Sequence, residues 1–326
     1  MAPDLHRVLL VGLGQIGLGY DLRLGDDVVY SHARAFSRHA DFALAAGVDG
    51  DAGQRAQFTG AYGAPAYATL AEALDAQPAI DVLVIAVPTA GHGAVLREVL
   101  ARCSPRAVLC EKPLADDIGE ARAMAALCAE RGVALYVNYI RRSDSAVIDV
   151  ARRIAGGAIA GPLKGVCWYS KGFRHNGSHF FNLLEYWLGP MRDFTVMATG
   201  RLWQDHDPEP DLRVQFEGGS VVFMAAREEA FSHYTIELLA ANGRLRYEQG
   251  GQQVAWQPAV AGALAGYTVL APQAEMLESG MRCYQLHVTQ QLAAALRGAP
   301  HVLCSGAEAL ATLEHMQPII EQCTRM

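Results

Sequence analysis

The sequence predicts an α/β Rossmann domain followed by an α+β domain with a large, mostly antiparallel open sheet. Three observations carry that reading. The first third alternates short apolar runs with amphipathic stretches, and the glycine run Val11-Gly12-Leu13-Gly14-Gln15-Ile16-Gly17 directly follows the first of them. After about residue 140, strand-like runs succeed one another with few helices between. Strand–helix alternation implies parallel strands joined by right-handed crossovers, and a sheet covered on both faces has nearly continuous apolar strands.

The expected strands of the first domain, residues 1–138, are His6 to Gly12, Phe42 to Asp49, Asp81 to Val87, Ala107 to Glu111 and Val133 to Asn138. Helical patterns cover Ala90 to Arg102 and Ile118 to Arg131. Leu18 to Tyr30 reads as an insertion before the helix-like Ser31 to Phe36. In the second domain, residues 139–326, strands are expected over Lys164 to Lys171, Phe194 to Leu202, Leu212 to Phe216, Ser220 to Ala226, Tyr234 to Ala240 and Gly243 to Glu248. Gly218-Gly219 and Asn242-Gly243 are hairpin signals, because both pairs tolerate positive φ. Two helices follow, Met281 to Arg297 and Ala307 to Gln322, the latter behind a Ser305 N-cap with Glu308 three residues on, a capping box. The C-terminal helix, 307–326, is expected to pack back on the first domain.

Composition excludes several classes of function. The 326 residues are 51% hydrophobic and 19% charged, with a formal charge of −7. No basic stripe is present to release counterions from a phosphate backbone, so no nucleic-acid partner is expected. Seven scattered cysteines form no C-x-x-C pair, which argues against a metal site and fits a reducing cytosol. The apolar N-terminus turns glycine-rich at once and reads as a first strand, not a signal peptide. The longest uncharged run, Gln249 to Gln273, contains Pro258 and Pro272 and would not cross a bilayer. A cytoplasmic protein is expected.

The glycine run has the context of a dinucleotide site. Gly12 allows the tight turn, Gly14 lets a pyrophosphate approach the backbone, and Gly17 lets helix pack on strand. The amides around Gln15 and Ile16, at the helix start, would hold the anion. Asp49 ends the second strand, where a carboxylate accepts hydrogen bonds from the adenosine ribose. It lies 49 − 17 = 32 residues past the last glycine, against about 20 in the usual spacing, and the insertion accounts for the excess. Gly50 and Asp51 follow with no adjacent arginine for a 2′-phosphate, so NAD is expected over NADP. Further on, Cys110-Glu111-Lys112-Pro113 sets a lysine between a glutamate and a proline at the end of an apolar strand. That placement puts a cationic proton donor where a nicotinamide ring would lie.

Together with Val87 to His92, Val137 to Arg142 and Gly177 to Gly189, these segments make the chain resemble the Gfo/Idh/MocA oxidoreductase family nearly end to end. The resemblance implies a Rossmann domain, a second domain with an open antiparallel sheet, and an active site between them. It implies that Pro88, Thr89 and His92 line the cofactor near its nicotinamide end, with Glu111 and Lys112 beside the ring. Lys112 would exchange a proton with the substrate oxygen, and His179, ahead of the apolar run Phe180 to Leu188, matches the family's catalytic histidine. The chain departs from the family pattern around that histidine. Acids are common four residues before it and three after, and here His175 and Asn182 stand there. Neither supplies an anion to stabilise an imidazolium, and the neighbouring Asn176 can orient a ring only without charge. The acid–base load is therefore expected to fall mainly on Lys112.

Arg141, Arg142, Lys171 and Arg174 are candidate cations for an anionic group of the substrate, or solvated surface charges, and Arg141, Arg142, Arg174, His175, Asn176 and Asn182 are the expected substrate-site residues. Trp168, Tyr169 and Phe173 could stack on a sugar or belong to the core. The insertion, with Tyr20, Asp21 and Arg23, has the length of a lid over the cofactor. The resemblance implies a carbohydrate-like small-molecule substrate and a homodimer or homotetramer built through the second domain's sheet. Two other readings stay open: an NAD-binding sensor or scaffold without turnover, and an enzyme with tightly held NAD that cycles during isomerisation, epimerisation or elimination.

Overall fold

The computed structural model describes residues 5–325, which divide into two compact units. The first unit runs to Ser143 and takes in Arg282–Ala311; the second comprises Asp144–Met281 and the chain from Thr312 on. The division falls at Ser143, not at 138, and the segment 282–311 groups with the first unit instead of the second.

In chain order the first unit contains β1 (His6–Val11), α1 (His32–Arg38), β2 (Phe42–Val48), α2 (Ala52–Tyr62), β3 (Ala66–Tyr67), α3 (Leu70–Ala76), β4 (Val82–Ile85), α4 (His92–Arg102), β5 (Ala107–Cys110), α5 (Ile118–Glu130) and β6 (Ala134–Val137). The strands β1, β4 and β5 carry apolar side chains on both faces: Val8, Leu9, Leu10, Val82 to Ile85 and Ala107 to Leu109 are all fully buried. Neighbours in the sheet follow the order β6-β5-β4-β1-β2-β3, all parallel. The strand order reverses at β1 and β4. In open parallel sheets the crevice beyond the strand ends at such a reversal is where ligands bind, and Gly12 stands there, directly after β1.

The second unit opens with α6 (Ser145–Ala155), β7 (Leu163–Tyr169) and α7 (Ser178–Leu188). Ten strands follow: β8 (Met191–Ala198), β9 (Leu202–Trp203), β10 (Asp207–Pro208), β11 (Asp211–Phe216), β12 (Gly219–Ala225), β13 (Thr235–Ala240), β14 (Gly243–Glu248), β15 (Gln253–Ala261), β16 (Thr268–Leu270) and β17 (Glu275–Leu277). Among the described residues its large sheet runs β16-β15-β14-β13-β7-β12-β11-β8, with β17 on β15. Every pairing in it is antiparallel except β7 with β12. Alternation along the strands separates two faces. Cys167, Tyr169, Leu238, Leu245 and Tyr247 point into a core shared with Phe180, Phe181 and Trp187 of α7, while Trp168 and Leu239 stay 37% and 50% exposed.

The remaining elements are α8 (Tyr284–Leu296), the short strand β18 (Cys304–Ser305), antiparallel to β6, and α9 (Gly306–Thr324). Val288 and Leu292 of α8 join the first unit's core, whereas Met316, Ile319 and Ile320 of α9 join the second unit's. The capping box is present: Ser305 N donates to Glu308 Oε2 at 2.8 Å and Glu308 N to Ser305 Oγ at 3.2 Å. No helix of the described residues is long and apolar enough to cross a membrane.

Both hairpins form, but for a different reason from the one the glycines suggest. Phe216 pairs with Gly219 and Ala240 with Gly243, so the turns are Glu217-Gly218 and Ala241-Asn242, and none of the four adopts positive φ. What excludes a side chain is proximity. A Cβ on Gly219 would lie 2.1 Å from the Leu163 carbonyl oxygen, and one on Gly243 would lie 2.6 Å from that of Gln257. The expected outcome for Gly219→Ala is a loss of about 1–3 kcal/mol from forced backbone displacement. Thermal unfolding should show a midpoint several degrees lower with the two-state transition kept.

Candidate dinucleotide site and catalytic residues

The three loop glycines occupy three different environments. Gly12 has φ +99°, and a Cβ there would lie 2.5 Å from the Ala86 carbonyl. On Gly17 it would lie 2.0 Å from the Gly12 oxygen, so the turn and its seat against β1 both require glycine. Gly14 is different: nothing lies within 4 Å of an added Cβ. Open space at the middle glycine suits an approaching pyrophosphate. Gln15 is exposed and Ile16 half-buried in the same turn. Asp49 is tied to this loop, accepting from Leu13 N at 2.8 Å and from Asp51 N at 2.9 Å. An ionised carboxylate keeps further lone pairs for ribose hydroxyls. Arg55 on α2 donates to the carbonyls of Asp49 and Gly50, both at 2.9 Å.

The spacing of 32 residues has a structural cause. His32 N donates to the Ile16 carbonyl and Ala33 N to that of Gly17, at 3.0 and 2.9 Å. The helical ladder that begins at the glycine loop therefore resumes in α1, with residues 18–31 looped out between. Asp21, fully buried, holds that loop: it accepts from Tyr30 N at 2.6 Å, Ser31 N at 2.9 Å and Ser31 Oγ at 2.6 Å. Tyr30 stacks on Tyr284 at the start of α8, at 5.2 Å between centroids. Asp21 is thus an internal staple and not an exposed lid residue; Tyr20 remains 52% exposed.

At the end of β5, Glu111 sits in a network that joins distant segments. Its Oε1 lies 2.8 Å from His32 Nε2 and accepts from Asn138 Nδ2 at 2.6 Å; Asn138 also donates to Gln285 Oε1 at 3.2 Å. His32, Asn138 and Gln285 are at most 2% exposed, and the Glu111 side chain keeps 13% of its surface. Burial alone raises a carboxyl pKa, but here the hydrogen bond and charge of His32, the Asn138 amide and the Lys112 ammonium together hold Glu111 below its ordinary value. Lys112, next in the chain, is half-buried and joined to Pro113 by a cis peptide bond.

Other candidates take different places. Pro88 is exposed and Thr89 half-buried beyond β4. His92, 1% exposed, faces the Leu114 and Val87 carbonyls at 3.1 and 3.0 Å, so it ties the two loops flanking the site together. Arg141 and Arg142 are 8% and 5% exposed. Arg142 donates to Glu308 Oε1 at 2.7 Å, which makes it part of the α9 start and not a solvated cation.

In the second unit, a π-helical turn over Gly172–Gly177 leads into α7. Gly172 has φ +74°, and a Cβ on it would lie 2.1 Å from the Asp207 carboxylate. Asp207 accepts from the amides of Arg174 and His175 at 2.9 and 2.7 Å, and Glu209 accepts from Gly172 N at 3.1 Å. Burial raises the Asp207 carboxyl, against those two amides. His175 stacks on Trp203 at 5.0 Å, and Asn176 donates to the Ser170 carbonyl at 3.0 Å. Asn176 therefore holds its own turn. Tyr169 and Phe173 are core residues, both fully buried. His179 is 8% exposed on the first turn of α7, and Asn182, fully buried, donates to Thr312 Oγ1 at 3.0 Å.

Residues 6–139 match a family described as an oxidoreductase family with an NAD-binding Rossmann fold. This match, to the Gfo/Idh/MocA family model, covers the Rossmann domain of the first unit. It is 30% identical over 131 residues to scyllo-inositol 2-dehydrogenase (NAD(+)) of Bacillus subtilis, covering 34% of this chain and 36% of that protein. It is 40% identical over 119 residues to inositol 2-dehydrogenase of Leifsonia xyli, covering 36% and 31%. The chain thus matches about a third of the length of these curated relatives. Solved structures extend the likeness in fold to the whole chain. An oxidoreductase from Agrobacterium radiobacter, in complex with NAD+, L-tartaric acid and magnesium, superposes with a TM-score of 0.75 at 18% identity over 98% of this chain and 96% of that one. The WlbA dehydrogenase from Bordetella pertussis, in complex with NADH and UDP-GlcNAcA, does so with 0.75 at 19% identity over 99% and 96%.

The Rossmann loop fits NAD on its own geometry: two glycines that admit no side chain, a third open to its surroundings, and an acid tied to the loop. His32, Gln285 and Thr312 escaped the sequence reading because a buried polar residue inside an apolar helix gives no local signal. Gly14→Ala is expected to leave the unfolding midpoint within about 1 °C, since nothing is displaced, yet to weaken NAD binding tenfold or more by blocking the pyrophosphate. Gly17→Ala should instead lose folded protein; calorimetry and NAD titration separate the two. Because the folded pKa of Glu111 is depressed, its contribution is complete above the ordinary carboxylate range and fades as pH falls through the folded value. Wild type should therefore exceed Glu111→Gln by about 2 kcal/mol at pH 7, and the gap should close on acidification in urea unfolding.

Proposed function

We propose that the chain is an NAD-dependent oxidoreductase acting on a secondary alcohol or ketone of a polyol, sugar or nucleotide sugar. The observation that carries the reading is Lys112, placed at the end of β5 directly after a carboxylate locked by His32 and Asn138. NAD, when bound, would supply the hydride acceptor for the carbinol carbon. The chain's own groups do the rest. The amides of the glycine loop hold the pyrophosphate, and Asp49 accepts from the ribose. Lys112 takes the hydroxyl proton as the carbon–hydrogen bond breaks, and returns it in the reverse direction. Glu111, fixed and ionised beside it, stabilises the ammonium that forms once the neutral Lys112 amine has taken that proton. His179 serves as the second acid–base group, without an anion at position 175 or 182.

Support for the polyol class comes from the inositol 2-dehydrogenases that match the first domain. The surface proposed for self-association is the exposed face of the large sheet, where Val166, Trp168 and Leu239 are 37%, 37% and 50% exposed. The test is steady-state kinetics with NAD over a panel of inositols, sugars and nucleotide sugars. Lys112→Met is expected to cut kcat about 1000-fold and His179→Ala about 100-fold, both with NAD affinity kept within a few-fold. Most of the turnover surviving in Lys112→Met while His179→Ala abolishes it would overturn this division. NAD binding without turnover of any panel member would favour a sensor, and a co-purifying, non-exchanging cofactor an internally cycling enzyme.

A further inference from the structure

Along α7, His179, Asn182 and Glu185 follow at intervals of three, so each neighbours the next on the helix surface. Thr312 and His315 of α9 lie against this polar stripe. Asn182 Nδ2 donates to Thr312 Oγ1 at 3.0 Å, Thr312 donates to Glu185 Oε2 at 2.6 Å, and Glu185 Oε1 lies 2.5 Å from His315 Nδ1. Asn182 and Thr312 are at most 1% exposed, so water cannot substitute for a misplaced partner.

The available hydrogens dictate the direction of the chain. A hydroxyl has one hydrogen, and an ionised carboxylate can only accept. The Thr312 hydrogen is therefore committed to Glu185, and Thr312 Oγ1 can only accept from Asn182. Only the amide nitrogen can supply that hydrogen, so the Asn182 carbonyl oxygen must turn away from Thr312. The hydrogen bond to Glu185 raises the His315 pKa against its burial, which favours the charged form of the pair.

We infer that Glu185, Thr312 and His315 are positioning residues that hold Asn182 as a fixed, neutral acceptor one helical turn from His179. The inference rests on the reading of His179 as an acid–base group. It accounts for the missing acid at this position. A carboxylate at position 182 would face the lone pairs of Thr312, whose only hydrogen points elsewhere. The same stripe that orders Asn182 thus disfavours an anion beside His179.

The test combines stability, spectroscopy and kinetics on the full-length protein. Asn182→Asp is expected to lower the unfolding midpoint by about 5 °C, the scale of one unmet buried polar group. Much of that loss should be recovered when Asn182→Asp is combined with Glu185→Gln, because the amide introduced at position 185 frees the Thr312 hydrogen to turn toward the new carboxylate. In that double variant the acid limb of kcat should move up by about one pH unit as the anion stabilises imidazolium. Thr312→Val should shift the Asn182 side-chain amide signal in ¹H–¹⁵N spectra and lower kcat about tenfold with an unchanged KM for NAD, whereas Thr312→Ser restores both. An Asn182→Asp cost independent of Glu185→Gln overturns the inference, as does an unmoved Asn182 signal in Thr312→Val. If wild type turns over no substrate, the functional reading fails, while the stability cycle and the amide signal still decide this one.

Discussion

A carboxylate taken largely out of water persists in ionised form only where donors surround it, and the network around Glu111 draws on three other segments of the first unit, two of which supply donors to it directly. His32 comes from α1, Asn138 from the end of β6, and Gln285, which orients Asn138, from α8. This constraint explains why the segment from Arg282 returns to the Rossmann unit after the whole antiparallel sheet has been laid down. It also explains how the tripeptide Glu111-Lys112-Pro113 can stand at a strand end with its lysine held in a defined charge environment. Removing any one donor leaves the carboxylate less compensated, so the network acts as one unit.

The insertion before α1 serves the same end. Residues 18–31 loop out of a helical ladder whose bonds run from His32 and Ala33 back to Ile16 and Gly17. His32 thereby occupies the position it would hold had the helix run on without interruption. The buried Asp21 satisfies the amides where the loop rejoins. An interruption of this length is tolerated because loop closure grows more costly only slowly with length, while the bonds on either side are kept.

In the second unit a similar division holds. Asp207 and Glu209, distant in sequence, satisfy the amides of the π-helical turn before α7. Acids are thus present near His179, but they serve the backbone, and the positions in register with the histidine carry uncharged or aromatic-stacked groups. The proposal that Lys112 carries the main proton transfer, with His179 in support, rests on that arrangement.

Much of this protein was legible from its residues alone. Apolar runs that are continuous in the first third and alternating later distinguish a sheet covered on both faces from one covered on a single face, because periodicity is a property of the chain. Gly12, Gly14 and Gly17 announced the loop through spacing, and Ser305 with Glu308 announced a helix start. Strand β15 was not legible: it lacks regular alternation and contains Pro258. Nor could the sequence separate glycines required by φ from those required by proximity, such as Gly219 and Gly243. Tertiary structure alone decided which polar residues meet: His32 with Glu111, Thr312 with Asn182, Arg142 with Glu308. Hydrogen bonds between residues far apart in the chain leave no local pattern, and their directions follow only once the number of donor hydrogens in each buried cluster is known.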